Sequence, residues 1–272
     1  MSEGAKVRSG DRAGREFWNA TWADQKLPAP IAGGIAHYPH RRIERALARA
    51  LAGRETRGKT MLEIGCAQSV WLPHMARRHG FVVSGLAYSE RGCALARAVL
   101  AREGVPGEIV LADFRDPPAR LLGSFDVVSW FGVLEHFDDT RGAIEAASRF
   151  LKPGGLLISE IPNLMGAVGW LQRALHRAVF DVHVPLGAEA LEQEHRAAGL
   201  EVVACEYVAK AGIHTLNLAG VEGRRGSVLR ALHLGVVLAA RAVWAADERF
   251  GLAPPGRFSA GYVVCTAEKP VS

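Results

Sequence analysis

Short apolar runs alternate with amphipathic stretches through the middle of the chain, a pattern typical of a parallel sheet wrapped by helices. The apolar runs predict strands over residues 60–65, 81–86, 108–112, 125–130 and 155–161. Helical periodicity falls between them, over residues 70–79, 89–103 and 139–151. Runs such as Val127-Val128 indicate strands that are buried on both faces.

Capping and turn residues agree with these boundaries. Ser89 is a suitable N-cap, Gly104 follows the same helix, and the turn Lys152-Pro153-Gly154-Gly155 ends the third helix. A further helix over 188–198 precedes strands over 200–207 and 261–267. The chain is therefore predicted to be an α/β protein.

Three segments lie outside the alternating core and are expected to gather as a cap over the ligand edge. The division is an N-terminal helical arm or cap (1–57), a core (58–208 and 259–272), and cap insertions (163–186 and 210–258). Helices are predicted over 163–179 and 228–248. The second is apolar most of the way round. Packing against the domain is its first interpretation, followed by lining a pocket for a hydrophobic substrate or touching a membrane surface.

Composition narrows the class of protein. The 272 residues are 49% hydrophobic and 22% charged, which is ordinary for a globular chain and disfavours disordered or fibrous classes. The net charge is +5, but the basic residues are scattered and do not interleave with aromatic ones, so no nucleic-acid partner is expected. The four cysteines are far apart, and no metal site is predicted.

The expected location is cytoplasmic. The chain starts without an apolar run, so no secretory signal is predicted. Charged and polar residues, among them Arg230, His233 and Arg241, interrupt the best candidate for a transmembrane segment, so no span is predicted. A small-molecule partner is expected, and the sequence leaves open whether the protein forms a homodimer.

Candidate chemistry begins where the first strand ends. It runs directly into Glu63-Ile64-Gly65-Cys66-Ala67-Gln68-Ser69, where a glycine allows a sharp turn and a close approach to a ligand. The helix that follows presents free N–H groups, at the edge where parallel α/β sheets bind ligands. Only Gly65 remains of the dinucleotide pattern G-x-G-x-x-G. The loop therefore disfavours a nicotinamide-dependent dehydrogenase, which stays one alternative function.

The next three strands end in residues suited to a nucleoside ligand. The second ends in Gly85-Leu86-Ala87-Tyr88-Ser89, about where a ribose would lie. The third ends in Leu111-Ala112-Asp113-Phe114, which offers a carboxylate and an aromatic ring. The fourth leads into Phe131-Gly132-Val133-Leu134-Glu135-His136.

In these motifs the chain resembles the class I S-adenosylmethionine-dependent methyltransferases, closest to the branch with quinone-biosynthesis and small-molecule enzymes. The resemblance covers residues 58–208, with 261–267 similar to the family's reversed final strand. It implies a Rossmann-like, seven-stranded, mostly parallel sheet whose last strand is reversed. Helices would cover both faces, with a helical cap in addition.

The resemblance also implies how S-adenosylmethionine would be held. Its methionine part would lie on the first loop, its adenine by the end of the third strand, and its sulfonium near the end of the fourth. The residues at these positions are, in that order, Glu63, Gly65, Cys66 and Ala67; Asp113 and Phe114; and Phe131, Gly132 and Val133. His136 follows one turn on. Each of these residues also has an ordinary structural interpretation, such as Asp113 capping a turn.

Two positions depart from the family. Ala67 replaces the second glycine of the loop, and Ala87 replaces the acid that would grip both ribose hydroxyls. The loss of that acid predicts weaker cofactor binding unless another group, such as Glu90 or a backbone atom, takes over. It motivates an alternative function, a methyltransferase-like protein that binds a ligand or catalyses a reaction other than methylation.

The implied activity is methyl transfer to a small, partly hydrophobic or aromatic acceptor, with oxygen favoured. His136 and His183 are the candidate bases, because an alcohol or amine acceptor needs a group that takes up its proton. The N-terminal aromatics Phe17, Trp18, Trp22 and Tyr38 predict either an acceptor pocket or a tether that packs the arm onto the core.

Overall fold

Seven strands form one sheet in the computed structural model, which describes residues 10–23 and 25–271. The strands are β1 (Thr60–Ile64), β2 (Val82–Ala87), β3 (Gly107–Leu111), β4 (Phe125–Phe131), β5 (Leu151–Pro162), β6 (Glu201–Val208) and β7 (Tyr262–Glu268). Their order is β3-β2-β1-β4-β5-β7-β6, and β7 alone runs antiparallel to its neighbours β5 and β6. The predicted Rossmann-like sheet with a reversed last strand is confirmed.

Helices cover both faces of this sheet. Within the described residues they are α1 (Gly14–Thr21), α2 (Tyr38–Ala50), α3 (Trp71–His79), α4 (Glu90–Glu103), α5 (Thr140–Ser148), α6 (Ala167–Leu175), α7 (Arg177–Asp181), α8 (Ala188–Ala197) and α9 (Gly223–Phe250). The Oγ of Ser89 accepts the amide of Gly92 at 3.1 Å to cap α4, which ends at left-handed Gly104. The capping signals in the sequence therefore set the boundaries of this helix.

Two predicted boundaries differ from the structure. β5 begins at Leu151, before the predicted start at 155, because Leu151 pairs with Phe125 across an irregular register. The helix predicted over 163–179 is divided into α6 and α7 at His176, whose φ of −149° is extended and cannot continue a helix.

The core lies on the two faces of the sheet, because successive residues of a strand point to opposite sides. Leu62 faces the side covered by α5 and α8, where it is buried with Ile144 and Leu191. Met61 faces the other side, where it is buried with Leu47 of α2 and Leu72 of α3. Helix α2 thus belongs to a layer on the sheet, although residues 1–57 were expected to form an arm or cap. The remaining domain division stays a prediction.

Helix α9 is mostly exposed to solvent, although it is the longest of the described helices. Of its 28 residues only Gly226, Ala240, Trp244 and Asp247 are buried. By length and composition it could cross a membrane, and 11% of its most apolar 18-residue window is buried. Packing against the domain, the first interpretation of its apolar face, is therefore wrong for most of that face.

Candidate functional site

A cavity of about 320 Å³ opens at the carboxyl edge of the sheet, where β1, β2 and β4 end. This volume lies at the lower end of the range of small-molecule sites. The wall is formed by the loop after β1, the ends of β2 and β4, the start of α3, and the N-terminal arm (residues 10–23). Because the loop after β1 runs directly into α3, four separate segments of the chain meet around this cavity.

The loop after β1 depends on Gly65. Its φ of +77° lies in the left-handed region, and its amide donates to the carbonyl of Leu86 at 2.7 Å. A Cβ at this position would overlap Cγ2 of Val133, in the loop after β4. The missing side chain thus lets the two loops meet, and both line the cavity with Ala67.

Glu63 places a buried carboxyl group in the wall. Its Oε2 accepts the Ser69 hydroxyl, whose oxygen in turn accepts the amides of Trp71 and Leu72 at the start of α3. Burial raises the pKa of Glu63 to about 8. Among the residues that the structure describes, no cationic side chain lies within ion-pair distance of it. The wall thus contains an acid whose ionised form would gain from a bound cation.

The end of β2 lines the cavity with Ala87, Tyr88 and Ser89. The Tyr88 hydroxyl donates to Oδ2 of Asp11 at 2.9 Å, and Asp11, only 9% exposed, lines the same cavity. A carboxylate from the arm therefore lies beside the strand end where Ala87 provides none.

The arm is attached along both sides of the cavity. The Ser89 hydroxyl donates to Oδ1 of Asn19 at 2.7 Å, and the amide of Arg12 donates to the carbonyl of His136 at 2.9 Å. Trp18 packs its ring edge-to-face with His136, at 5.0 Å between centroids, and stacks on Trp22. Both tryptophans line the cavity, so they enclose it as well as attach the arm.

Not all of the N-terminal aromatics lie at the cavity. Tyr38 is fully buried, stacks on Trp244 of α9 and donates its hydroxyl to Asp247 at 2.7 Å. Phe17 is 42% exposed and meets Trp18 edge-on. The tether interpretation therefore fits Tyr38, whereas the pocket interpretation fits Trp18 and Trp22.

The end of β3 lies outside the cavity wall. The Asp113 carboxylate accepts the backbone amide of Arg115 at 2.9 Å and two of its guanidinium nitrogens, at 3.1 and 2.9 Å. Phe114 is buried edge-on against Trp130 and Phe137. Asp113, Phe114 and the fully buried Cys66 are not among the lining residues. Their roles in holding a cofactor stay predictions.

The end of β4 supplies the remaining wall. Phe131 stacks on Trp71 at 4.8 Å between centroids, and Gly132 takes a φ of +67°. Phe131, Gly132 and Val133 all line the cavity, as does His136. The ends of β1 and β4 therefore meet at one cavity, which the end of β3 does not line.

Of the two candidate bases, His136 lines the cavity and His183 does not. Nδ1 of His136 donates to the carbonyl of Val182 at 2.8 Å, which leaves Nε2 as the acceptor, and burial lowers its pKa to about 4. His183 packs on it at 4.6 Å between ring centroids but does not line the cavity. At neutral pH His136 is thus an uncharged acceptor in the wall, with His183 behind it.

Glu135 completes a cluster that the sequence analysis did not identify. One ligand atom each of Glu135, His136 and His183 lies within 4.8 Å of the other two, close enough to hold a metal ion. Burial raises the pKa of Glu135 to about 8, and Oε2 has no hydrogen-bond partner. The expectation of no metal stays a prediction.

Asp11 was missed because no local signal marks it. It belongs to no motif, and it reaches the site through contacts 77 residues away, at Tyr88. Trp18 and Trp22 were identified by their aromatic character, but only the fold distinguishes them from Tyr38.

The fold and cavity define a Rossmann-like α/β protein with a small-molecule site at the carboxyl edge of its sheet. A sequence profile of a methyltransferase domain matches residues 35–205. The chain belongs to this methyltransferase family, the class I S-adenosylmethionine-dependent group. S-adenosylmethionine is the cofactor that this membership assigns to it.

Curated relatives agree with this membership. A ubiquinone biosynthesis O-methyltransferase of Thiobacillus denitrificans is 32% identical over 152 residues, covering 53% of this chain and 65% of that protein. One from Pseudomonas paraeruginosa is 31% identical over 153 residues, with 53% and 66% covered. The chain thus spans slightly less than two thirds of the length of these relatives.

Solved structures share the fold. The cyclase SpnF has a TM-score of 0.61 and 20% identity, with both chains fully covered (100%). Phosphoethanolamine N-methyltransferase 2 of Haemonchus contortus, in complex with S-adenosyl-L-methionine, has a TM-score of 0.57 and 17% identity. That match covers 97% of this chain and 58% of the other. At these identities the likeness shows the fold alone.

Gly65→Ala is expected to destabilise the protein by more than the left-handed φ alone explains. Gly58 is the control, because its φ is +75° and a Cβ there meets nothing within 4 Å. Gly58→Ala should cost about 1–2 kcal/mol, the usual penalty of a left-handed residue. Gly65→Ala should cost more in urea unfolding, and Val133→Ala should recover the excess. Equal losses for the two glycines would contradict the close approach of the loops.

Proposed function

We propose that this protein transfers a methyl group from S-adenosylmethionine to a small, partly hydrophobic or aromatic acceptor, with oxygen as the favoured acceptor atom. The observation that carries the proposal is the single cavity that joins the loop after β1 to the ends of β2 and β4. The names of the curated relatives, ubiquinone biosynthesis O-methyltransferases, support oxygen.

The residues of the cavity wall fit S-adenosylmethionine. Glu63 is a buried acid without a cationic partner among the described residues, and the cofactor carries an ammonium group that would supply one. Ala67, which lines the cavity, has only a methyl group, so a ligand can lie close to the backbone of the loop after β1. When bound, the cofactor supplies an electrophilic methyl group on its sulfonium.

The arm and α3 give the cavity its aromatic character. Trp18, Trp22 and Trp71 line it together with Phe131 and Phe137. Broad ring faces bury a flat, partly apolar acceptor and exclude water from it, which favours an in-line approach in a fixed orientation. These rings support a hydrophobic or aromatic acceptor.

We assign to His136 the role of accepting the proton that the hydroxyl group of the acceptor molecule loses. Its Nε2 carries the free lone pair, and it can accept a hydrogen bond from a hydroxyl in the cavity. A pKa of about 4 makes it a weak base, which suits a phenol, a group that needs little assistance, better than an aliphatic alcohol. His183 contacts His136 and is assigned a positioning role.

Asp11 is our candidate for the missing ribose-binding acid. It shares the cavity with Ala87 and is fixed by the Tyr88 hydroxyl on one oxygen. The amides of Ala13 and Gly14 donate to its other oxygen at 3.1 and 3.0 Å. Oδ2 retains acceptor capacity for a ribose hydroxyl, since a carboxylate oxygen takes more than one donor.

The alternative function, ligand binding or a reaction other than methylation, rested on Ala87. A carboxylate from the arm in the same cavity removes most of the reason for it. The same experiments distinguish the two functions.

Titration calorimetry with S-adenosylmethionine and its demethylated product tests the proposal directly. Saturable binding of both is expected, followed by transfer of labelled methyl to a phenol or catechol in a panel of small acceptors. Binding without transfer to any oxygen, nitrogen, sulfur or carbon acceptor would favour the alternative. No binding at millimolar concentration would contradict the proposed methyl transfer.

Cofactor binding at pH 7 is expected to release a proton from Glu63. Its pKa of about 8 means that the free protein holds the proton, and an ammonium beside the carboxyl favours the ionised form. The binding enthalpy of the natural protein should therefore vary with the ionisation enthalpy of the buffer, with a slope of up to about one proton. Glu63→Gln should bind more weakly and lose that slope. An unchanged slope would assign the proton to another group.

Asp11→Asn is expected to weaken binding of S-adenosylmethionine by about tenfold or more, the cost of losing a charge-assisted hydrogen bond. Asp138→Asn is the control, because exposed Asp138 anchors the arm by pairing with Arg12 at 2.7 Å and does not line the cavity. Ala87→Asp in the Asp11→Asn background should restore affinity. Equal losses for Asp11→Asn and Asp138→Asn would make Asp11 a tether only.

A further inference from the structure

The outward face of α9 is continuously apolar. Every exposed residue from 231 to 245 is Ala, Gly, Val or Leu, and the two basic residues of this stretch, His233 and Arg241, are half-buried. The larger ones stand well clear of the domain, with Leu232 63%, Leu234 58% and Val236 51% exposed. At 1.5 Å per residue this strip is about 22 Å long. Scattered apolar residues are ordinary on a protein surface, but a strip of this length marks an interaction site.

Basic residues border the strip, and the acids of the helix are neutralised. Arg224, Arg225 and Arg230 precede it, and Arg249 follows it. Asp247 pairs with Lys210 at 2.8 Å, and Glu248 pairs with Arg45 at 2.8 Å. The free charge around the apolar strip is therefore mainly positive, with Glu222 at the helix start as the exception.

The opposite face holds α9 to the domain. Trp244 stacks on Tyr38 and donates its indole N–H to the carbonyl of Lys210 at 2.8 Å. Tyr38 also donates to Asp247, so the second half of the helix is attached through buried polar groups. To cross a bilayer α9 would have to break these contacts, whereas it can lie along a surface without losing any of them.

A second copy of this chain does not suit the strip. In an antiparallel pairing Arg224 and Arg225 would lie opposite Arg249 of the other copy, and in a parallel pairing each arginine would meet itself. Like charges would oppose both arrangements. A strip about 22 Å long on a helix about 10 Å wide also offers only a few hundred Å², below the roughly 800 Å² per partner of a stable interface.

We infer that α9 docks this protein on the surface of an anionic phospholipid bilayer. The Ala, Val and Leu side chains of the strip enter the boundary between headgroups and acyl chains, and the bordering arginines contact lipid phosphates. An exposed aromatic residue at the end of α9, Phe250, favours the same surface. The docking does not rest on the proposed function, because it uses none of the residues that line the cavity.

Sedimentation with lipid vesicles tests this docking on the full chain. We expect the protein to sediment with vesicles of phosphatidylcholine and phosphatidylglycerol in equal parts, more weakly with phosphatidylcholine alone, and less as salt increases. Leu234→Glu with Leu238→Glu should reduce binding to the anionic vesicles by about tenfold or more. Val82→Glu with Val203→Glu is the matched control, because these side chains are equally exposed but lie on β2 and β6.

Several outcomes would overturn the inference. One is that the protein sediments with neither kind of vesicle. Another is that the Leu234/Leu238 variant binds anionic vesicles as well as the natural protein does. A third is that the Val82/Val203 control loses as much binding as the Leu234/Leu238 variant. A lipid-free dimer that this variant turns into a monomer would assign the strip to a second copy. Resistance of the bound protein to alkaline extraction would assign it to a membrane-spanning helix. An unchanged thermal unfolding midpoint shows that the variants remain folded, and no cofactor is needed in any arm.

Discussion

The close approach of the loops after β1 and β4 is the constraint on which the site depends. It exists because Gly65 has no side chain and turns through a left-handed φ, so that Val133 can lie directly over it. With a larger residue the two strand ends would separate, and the cavity between them would lose its floor. The same turn leads into α3, whose first amides are fixed through Ser69 to the buried Glu63. One glycine thus positions both the backbone and the acid of the site.

The arm converts an open sheet edge into an enclosed site. In an α/β sheet the carboxyl edge is open to solvent unless something covers it. Here residues 10–23 cover it by hydrogen bonds to the ends of β2 and β4, with two tryptophans facing the cavity. The arm also carries Asp11 to the end of β2, where Ala87 provides no carboxylate. Enclosure and charge therefore come from the same short segment.

Buried ionisable groups give the site a particular charge state at neutral pH. Glu63 and Glu135 are protonated because burial raises their pKa, and His136 is uncharged because burial lowers its pKa. Of these, Glu63 and His136 line the cavity, and neither carries a charge until a ligand arrives. A cationic ligand beside Glu63 can draw out its proton. Helix α9 differs from the cavity, because its apolar strip lies on the outside of the molecule and is bordered by charged side chains. The two regions are separate, so the site and the surface can be tested independently.

The sequence by itself determined the order of the elements, the turn that follows β1, and the family. These depend on local patterns: the apolar runs of buried strands, the Ser89 cap, the glycine turn at residue 65. Most predicted boundaries accordingly lie within a few residues of the structure. Only the tertiary structure decided that Asp11 faces the cavity, that the end of β3 with Asp113 does not line it, and that α9 leaves its apolar face exposed. Each of these depends on which distant segment packs where, and hydrophobic periodicity records that a face is apolar without recording what covers it.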